Sequence, residues 1–234
     1  MWPKSRIAGV PAFDTTDAAQ LLQGMRLARA ALKRGELVVI PTDTVYGIAA
    51  EAFAAPAVQR LLDAKGRDRT APPPVLVPGL PTLDALAEVV PDEVRALVGE
   101  FWPGGLTVIL RARSTLDWDL GETRGTVALR MPRHPIALEL LAETGPLAVS
   151  SANKTGQPAA TTAAEAEAQL GDAIEVYLEA GPSAEWYAPE HQRSGSTIVD
   201  ATALEHPDGK LTIVRHGVIP DEEIIRVVGA ERCG

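Results

Sequence analysis

The chain has 234 residues, 22 of them Lys or Arg and 31 Asp or Glu, for a formal charge of −9. That balance argues against a protein whose main task is to neutralise nucleic-acid phosphates, and 4% aromatic residues argue against a base-stacking platform. A single cysteine, Cys233, excludes an internal disulfide framework and a Cys-rich metal site, and no run approaches the roughly 18 apolar residues of a membrane span.

The first thirteen residues lack the continuous apolar stretch of a signal peptide, so the cytoplasm is the expected compartment. Residues 17–34 place Leu21, Leu22, Met25 and Leu32 at helical spacing, with Thr15 or Thr16 able to cap the start and Gly35 to end it. ELVVIPT (36–42) reads as a buried strand, VYGIAAEAF (45–53) as a turn and a second extended piece, and 56–64 as a short helix closed by Gly66. A basic, proline-rich loop leads to a strand around 75–77, then to helices at 82–90 and 92–101. LTVILRA (106–112) and TVALRMP (126–132) are strands joined by a polar loop, 134–145 is a helix, and PLAVSSAN (146–153) is a strand running into a polar turn. Thr162 and Glu165 form a capping box, strands follow at 174–181, 196–202 and 210–217, and a helix at 220–229 closes the series. Strands alternate with helices, without a strict βαβ rhythm near the end. The predicted fold is therefore α/β, a single domain on a twisted, mixed open sheet with flanking helices.

Charge is unevenly spread. Residues 163–190 carry seven acids and no Lys or Arg, whereas 60–69 carry four bases and two acids. The signatures of a P-loop (GxxxxGKS/T), a dinucleotide fold (GxGxxG), a zincin (HExxH) and a hydrolase elbow (GxSxG) are all absent, and the four His show no metal spacing.

What remains is a series of polar segments at strand ends, where α/β sheets place their ligands. PTDTVYG (41–47) follows a buried strand and offers Thr42, Asp43 and Thr44 beside Gly47. KGR (65–67) puts two cations on a glycine-containing loop, a point charge and a fork suited to polyphosphate. RMP (130–132) holds an Arg able to pair a carboxylate or a phosphate. SSAN (150–153), STIVD (196–200) and RHG (215–217) complete the set, which together points to one site for an anionic ligand.

In this order, with WPGGLT (102–107) between KGR and RMP, the segments resemble the YrdC family, from about residue 25 to 225. The resemblance implies a YrdC-like domain over 15–228, with 1–14 as an N-terminal extension and 229–234 as a C-terminal tail. It implies a standalone short form, without the added C-terminal domain of longer members. The activity implied is that of a nucleotidyltransferase, an L-threonylcarbamoyladenylate synthase. Such an enzyme joins L-threonine, bicarbonate or CO₂ and ATP, releases pyrophosphate, and hands its product to a separate transferase that modifies tRNA. Mg²⁺ would accompany the ATP phosphates, and direct tRNA binding would be weak or absent. The alternative is an RNA-binding YrdC-like protein without synthase activity, set against the charge of −9.

The resemblance also assigns residues. Lys65 and Arg67 match a Lys-x-Arg pair that addresses ATP phosphates and carries the catalytic role. Thr126, Ser151, Asn153 and Arg215 match positions at the nucleotide. Thr44, Arg130, Val149 and Ser196 match positions at L-threonine, Arg130 as the grip on its carboxylate and Val149 through its backbone. The family often has Asn, His and Ser where this chain has Ala71, Leu76 and Ala159, so these three are not counted as side-chain ligands. Residues 181–195, which include Trp186 and Tyr187, form a candidate lid or an ordinary surface loop.

Overall fold

The computed structural model of the chain describes residues 11–183, 185, 187 and 194–234. The strands are β1 (Ala12–Asp14), β2 (Val38–Ile40), β3 (Gly47–Glu51), β4 (Val75–Leu76), β5 (Leu106–Arg111), β6 (Thr126–Arg130), β7 (Leu147–Ser151), β8 (Val176–Glu179), β9 (Thr197–Asp200) and β10 (Thr212–Arg215). The helices are α1 (Ala18–Lys33), α2 (Ala55–Lys65), α3 (Leu80–Leu86), α4 (Asp92–Phe101), α5 (Pro135–Thr144), α6 (Ala163–Leu170) and α7 (Asp221–Val228). One mixed sheet joins the strands in the order β1-β8-β2-β3-β7-β4-β6-β5-β9-β10. The β1–β8, β2–β8, β4–β6 and β5–β9 pairs are parallel and the others antiparallel.

Helix ends follow local chemistry. Asp17 rather than Thr15 or Thr16 caps α1, its Oδ1 accepting from Gln20 N at 2.9 Å. The two threonines are engaged elsewhere: Thr15 Oγ1 donates to Glu179 O and Thr16 Oγ1 to Asp14 Oδ1. Gly35 turns the chain out of α1 at φ +76°, and Gly66 ends α2 at φ +62°, conformations that glycine adopts without a Cβ penalty. Thr162 caps α6 by accepting from Glu165 N, while Glu165 reaches back to Thr161 N and Oγ1. The expected helix at 82–90 is α3, which stops at Leu86. Ala87 is extended and bridges to Ala112, and Glu88 N donates to Arg111 O. The chain there bonds to the end of β5 instead of adding another helical turn.

Two layers cover the first half of the sheet, and alternation decides which residue faces which layer. Val38, Ile40, Ala49, Val176 and Leu178 pack with α1 and α5, while Val39, Ile48, Ala50 and Tyr177 pack with α2 and α6. Leu61 and Leu62 of α2 are fully buried, and each contributes roughly 1.5–3 kcal/mol by leaving water. In the second half, Leu106, Val108, Leu110, Val127, Leu129 and Val199 pack in one core with α3, α4 and α7. Their neighbours Thr107, Ile109, Thr126, Ala128, Arg130 and Ile198 point to the opposite face, where they line a cleft. The strand β1 and Cys233 lie outside the 15–228 span expected of the domain, and both are tied to it, β1 by pairing with β8 and Cys233 by a bridge to Leu211.

Candidate functional site

The cleft has a volume of about 490 Å³. Its floor is the uncovered face of β5, β6 and β9, so every second residue of those strands is delivered into it. Its walls are the segment after β2, the proline-rich loop before β4, the end of β7 and the end of β10. Of the residues expected at a ligand, Thr44, Arg67, Thr126, Arg130, Val149, Ser151, Ser196 and Arg215 all line it. Ala71 and Leu76 line it too, as an apolar stretch with Pro72, Pro73 and Pro74, while Ala159 is not among the lining residues.

Lys65 and Asn153 are placed differently. Lys65 is only 3% exposed. Its Nζ donates to Ser151 O at 2.5 Å and Asn153 O at 2.7 Å, behind the cleft wall rather than into it. Asn153 is 7% exposed, and its Nδ2 donates to Lys154 O and Gln157 O. These residues brace the turn after β7. Neither is among the lining residues of the cleft, and backbone carbonyls take up the donors of both side chains. Burial, helped by the neighbouring Arg67, pushes the Lys65 ammonium down to about 8.

Arg130, at the end of β6, is 7% exposed. Its Nε donates to Gly104 O at 2.9 Å, Nη1 to Thr44 Oγ1 at 3.0 Å and Nη2 to Asp43 Oδ1 at 2.7 Å. A guanidinium has five N–H bonds, so one on each terminal nitrogen is left over. The fork is locked in place with two donors to spare, the valence a carboxylate needs for a bidentate contact. Asp43 is fully buried. Burial alone would raise its pKa, but Arg130, the Arg133 N–H and the Tyr187 hydroxyl outweigh that and hold the carboxyl below its usual range.

Arg67 and Arg215 supply the rest of the charge. Arg67 Nη1 donates to Ser150 Oγ at 3.2 Å. Arg215 is held from below, Nε and Nη2 donating to Ser196 O and Nη2 also to Ser196 Oγ. Ser196 Oγ lies 2.6 Å from Thr107 Oγ1. Burial lowers the pKa of Arg215, and Arg130 and Arg67 lower it further, which marks three like charges converging on one space. The described lining contains these three guanidinium groups and no carboxylate. Asp43 was expected in the polar segment after β2 without a role of its own, and Thr107 and Tyr187 were given no ligand contact. Thr107 was readable from LTVIL, where it alternates with the core residues Leu106 and Val108.

Among the described residues no group of three His, Cys, Asp or Glu could hold a metal. The lining offers hydroxyls without carboxylates. That donor set fits a Mg²⁺ ion brought in on phosphates, with water completing its shell, and does not fit a protein-built cage. No helix among the described residues is long and apolar enough to cross a membrane.

Fold and site together define an α/β protein with an anion-binding cleft on the open face of its sheet. The Sua5/YciO/YrdC family model, described as telomere recombination, matches residues 30–217, and the chain belongs to that family. It is 47% identical over 219 residues to a Mycobacterium tuberculosis protein provisionally named a threonylcarbamoyl-AMP synthase, covering 94% of this chain and 95% of that one. Sua5 of Pyrococcus abyssi, solved in complex with L-threonine, superposes with a TM-score of 0.82 at 31% identity, covering 97% of this chain and 63% of that longer one. YciO of Escherichia coli shares the fold, with a TM-score of 0.75 at 20% identity over 95% of this chain and all of that one. Membership at this level makes the chain an enzyme of the nucleotidyl-transferring type.

Proposed function

We propose that the protein is an L-threonylcarbamoyladenylate synthase, making threonylcarbamoyl-AMP and pyrophosphate from L-threonine, bicarbonate or CO₂, and ATP. The observation that carries this reading is the cleft, lined among the described residues by three guanidinium groups and no carboxylate, with the Arg130 guanidinium a locked fork with two donors left over. The name of the M. tuberculosis relative and the L-threonine in the P. abyssi complex support it.

In this reading Arg130 takes the threonine carboxylate, with Thr44, Ser196 and the Val149 backbone around the rest of the amino acid. Arg67 and Arg215 face the phosphates of ATP, beside Thr126 and Ser151. Lys65 adds positive charge from behind the wall and holds the Ser151 and Asn153 carbonyls. The neutral threonine amine adds to CO₂ and loses one N–H proton to water, giving a carbamate. A carbamate oxygen then attacks the α-phosphorus in line, and pyrophosphate leaves. Catalysis is positioning and charge neutralisation, so no His or Glu base is required. Mg²⁺, when present on the phosphates, supplies further neutralisation. The product would pass to a transferase acting on tRNA, and the −9 charge of the chain fits little direct tRNA affinity.

The test is incubation with MgATP, L-threonine and bicarbonate, followed by detection of pyrophosphate. Release that depends on both L-threonine and bicarbonate is expected. Release independent of threonine, or none, would reject the proposal.

A further inference from the structure

Asp43 has two carboxylate oxygens and no exposure to solvent. Oδ1 accepts from Arg130 Nη2 at 2.7 Å and from Arg133 N at 2.8 Å. Oδ2 accepts from the Tyr187 hydroxyl at 2.7 Å. Tyr187 lies between β8 and β9, more than 140 residues along the chain from Asp43. Its ring packs on the core that holds Trp102, Leu106 and Val218. The room for its hydroxyl is made by Gly105, the second glycine of WPGGLT. A Cβ on Gly105 would come within 2.8 Å of Tyr187 Oη and 2.2 Å of Val218 Cγ2, closer than side chains pack. Burial, together with the charge of Asp43, raises the Tyr187 phenol, so it keeps its proton and donates throughout the working range of pH.

We propose that Tyr187 and Asp43 are positioning residues: the Tyr187–Asp43 hydrogen bond fixes the plane of the Arg130 guanidinium and thereby tunes the cleft for an α-amino-acid carboxylate. This rests on the assignment of Arg130 to the threonine carboxylate. The physical argument concerns the second carboxylate oxygen. Without the phenol, Oδ2 has a buried lone pair and no donor, and a carboxylate in that position turns to seek one. Any turn shifts Oδ1, to which Nη2 is bonded, and moves the two spare N–H bonds away from a bidentate carboxylate geometry. The phosphate end, formed by Arg67 and Arg215, makes no hydrogen bond to Asp43 or Tyr187 among those described. The effect is therefore confined to the amino-acid end.

The experiment is titration calorimetry of the intact protein with L-threonine and, separately, with MgATP, for the wild type, Tyr187→Phe, Asp43→Asn and the double variant. Tyr187→Phe keeps the ring in its place and removes only the donor. It is expected to weaken L-threonine about tenfold, about 1.4 kcal/mol, while MgATP affinity stays within about twofold; the melting temperature falls by a few degrees, because a buried acceptor loses its donor. The double variant is expected to be no weaker for L-threonine than Asp43→Asn alone, because the two act as one unit. Unchanged L-threonine affinity in Tyr187→Phe, a parallel fall for both ligands, or additive losses would overturn the proposal. A wild type that binds MgATP and no L-threonine would overturn the functional reading with it, whereas a wild type that binds both leaves that reading standing whatever Tyr187→Phe does.

Discussion

Arg67 separates the demands of catalysis from those of folding. It stands just past α2, where Gly66 turns the chain and the Arg67 N–H closes the helix onto Leu62 O at 2.9 Å. Its guanidinium reaches the cleft and donates to a neutral partner, Ser150 Oγ, at 3.2 Å. Replacing it by Ala forfeits that one bond, about 1 kcal/mol of stability. In the transition state the same side chain would face charge developing on the departing pyrophosphate. There a two-donor contact is worth about 3–4 kcal/mol, or roughly 10²–10³ in rate. The assay is threonine-dependent pyrophosphate release at saturating substrates, beside a thermal melt of the same preparation. Turnover down by two to three orders of magnitude with a melting temperature lowered by only a few degrees is expected. Arg67→Lys, which keeps a point charge and loses the fork, should recover part of the loss. Turnover of Arg67→Ala within about threefold of wild type would refute the assignment of Arg67 to the leaving group.

Arg130→Lys retains a cation opposite buried Asp43 while removing the fork, so the L-threonine requirement should rise more than about tenfold with ATP nearly unaffected; equal changes in both KM values would reject the carboxylate grip. Lys65 titrates near 8 in the folded chain and at its ordinary value of 10.5 when unfolded, so the unfolded state binds more protons between these values and stability rises with pH across that window. From pH 7.5 to 9.5 this group alone adds about 2 kcal/mol; urea titrations of the wild type against Lys65→Met should show the gain only in the wild type. Gly217→Ala would drive a Cβ to 2.4 Å from the Ser196 carbonyl carbon and Thr197 N, backbone that cannot yield; loss of Arg215 placement should raise the ATP requirement and lower the melting temperature together. Tyr46→Phe removes the hydroxyl whose one proton is shared between Glu179 Oε1 and Gly181 O and which accepts from Ala180 N; loss of these part-buried bonds should destabilise the fold by about 1–2 kcal/mol, read by denaturation, with substrate requirements unmoved.

The parts of this protein that the chain announces are those where one local rule suffices. LTVIL and TVALR have the period of two that sends Leu106 and Val108 inward and Thr107 and Ile109 outward, and both faces are where that pattern puts them. The cations of KGR and RHG are legible as phosphate partners by type, and Arg67 and Arg215 do line the cleft. What local pattern misses is competition. Lys65 has the right charge at the right distance along the chain, but two buried carbonyls claim its donors. The strand β1 is too short to signal itself and exists because Tyr177, Leu178 and Glu179 offer it a parallel edge. The bond from Tyr187 to Asp43 joins two segments that nothing in spacing or composition links. The segment 181–195, expected to be a lid or an ordinary surface loop, falls mostly outside the described residues, Trp186 among them, as does most of the extension at 1–14.

The threading of the cleft has a thermodynamic consequence. Its lining runs from Thr42 to Arg215 and draws on both halves of the sheet. A chain that has lost the β9–β10 hairpin, or the β2–β3 turn, has no cleft, so a ligand binds only the completed fold. Occupancy then stabilises the whole domain by mass action, about 2.7 kcal/mol at a ligand concentration one hundred times Kd. Substrate supply thus doubles as a folding chaperone in chemical form. In a cell rich in its substrates the protein would tolerate core substitutions that unfold it when those substrates are withdrawn.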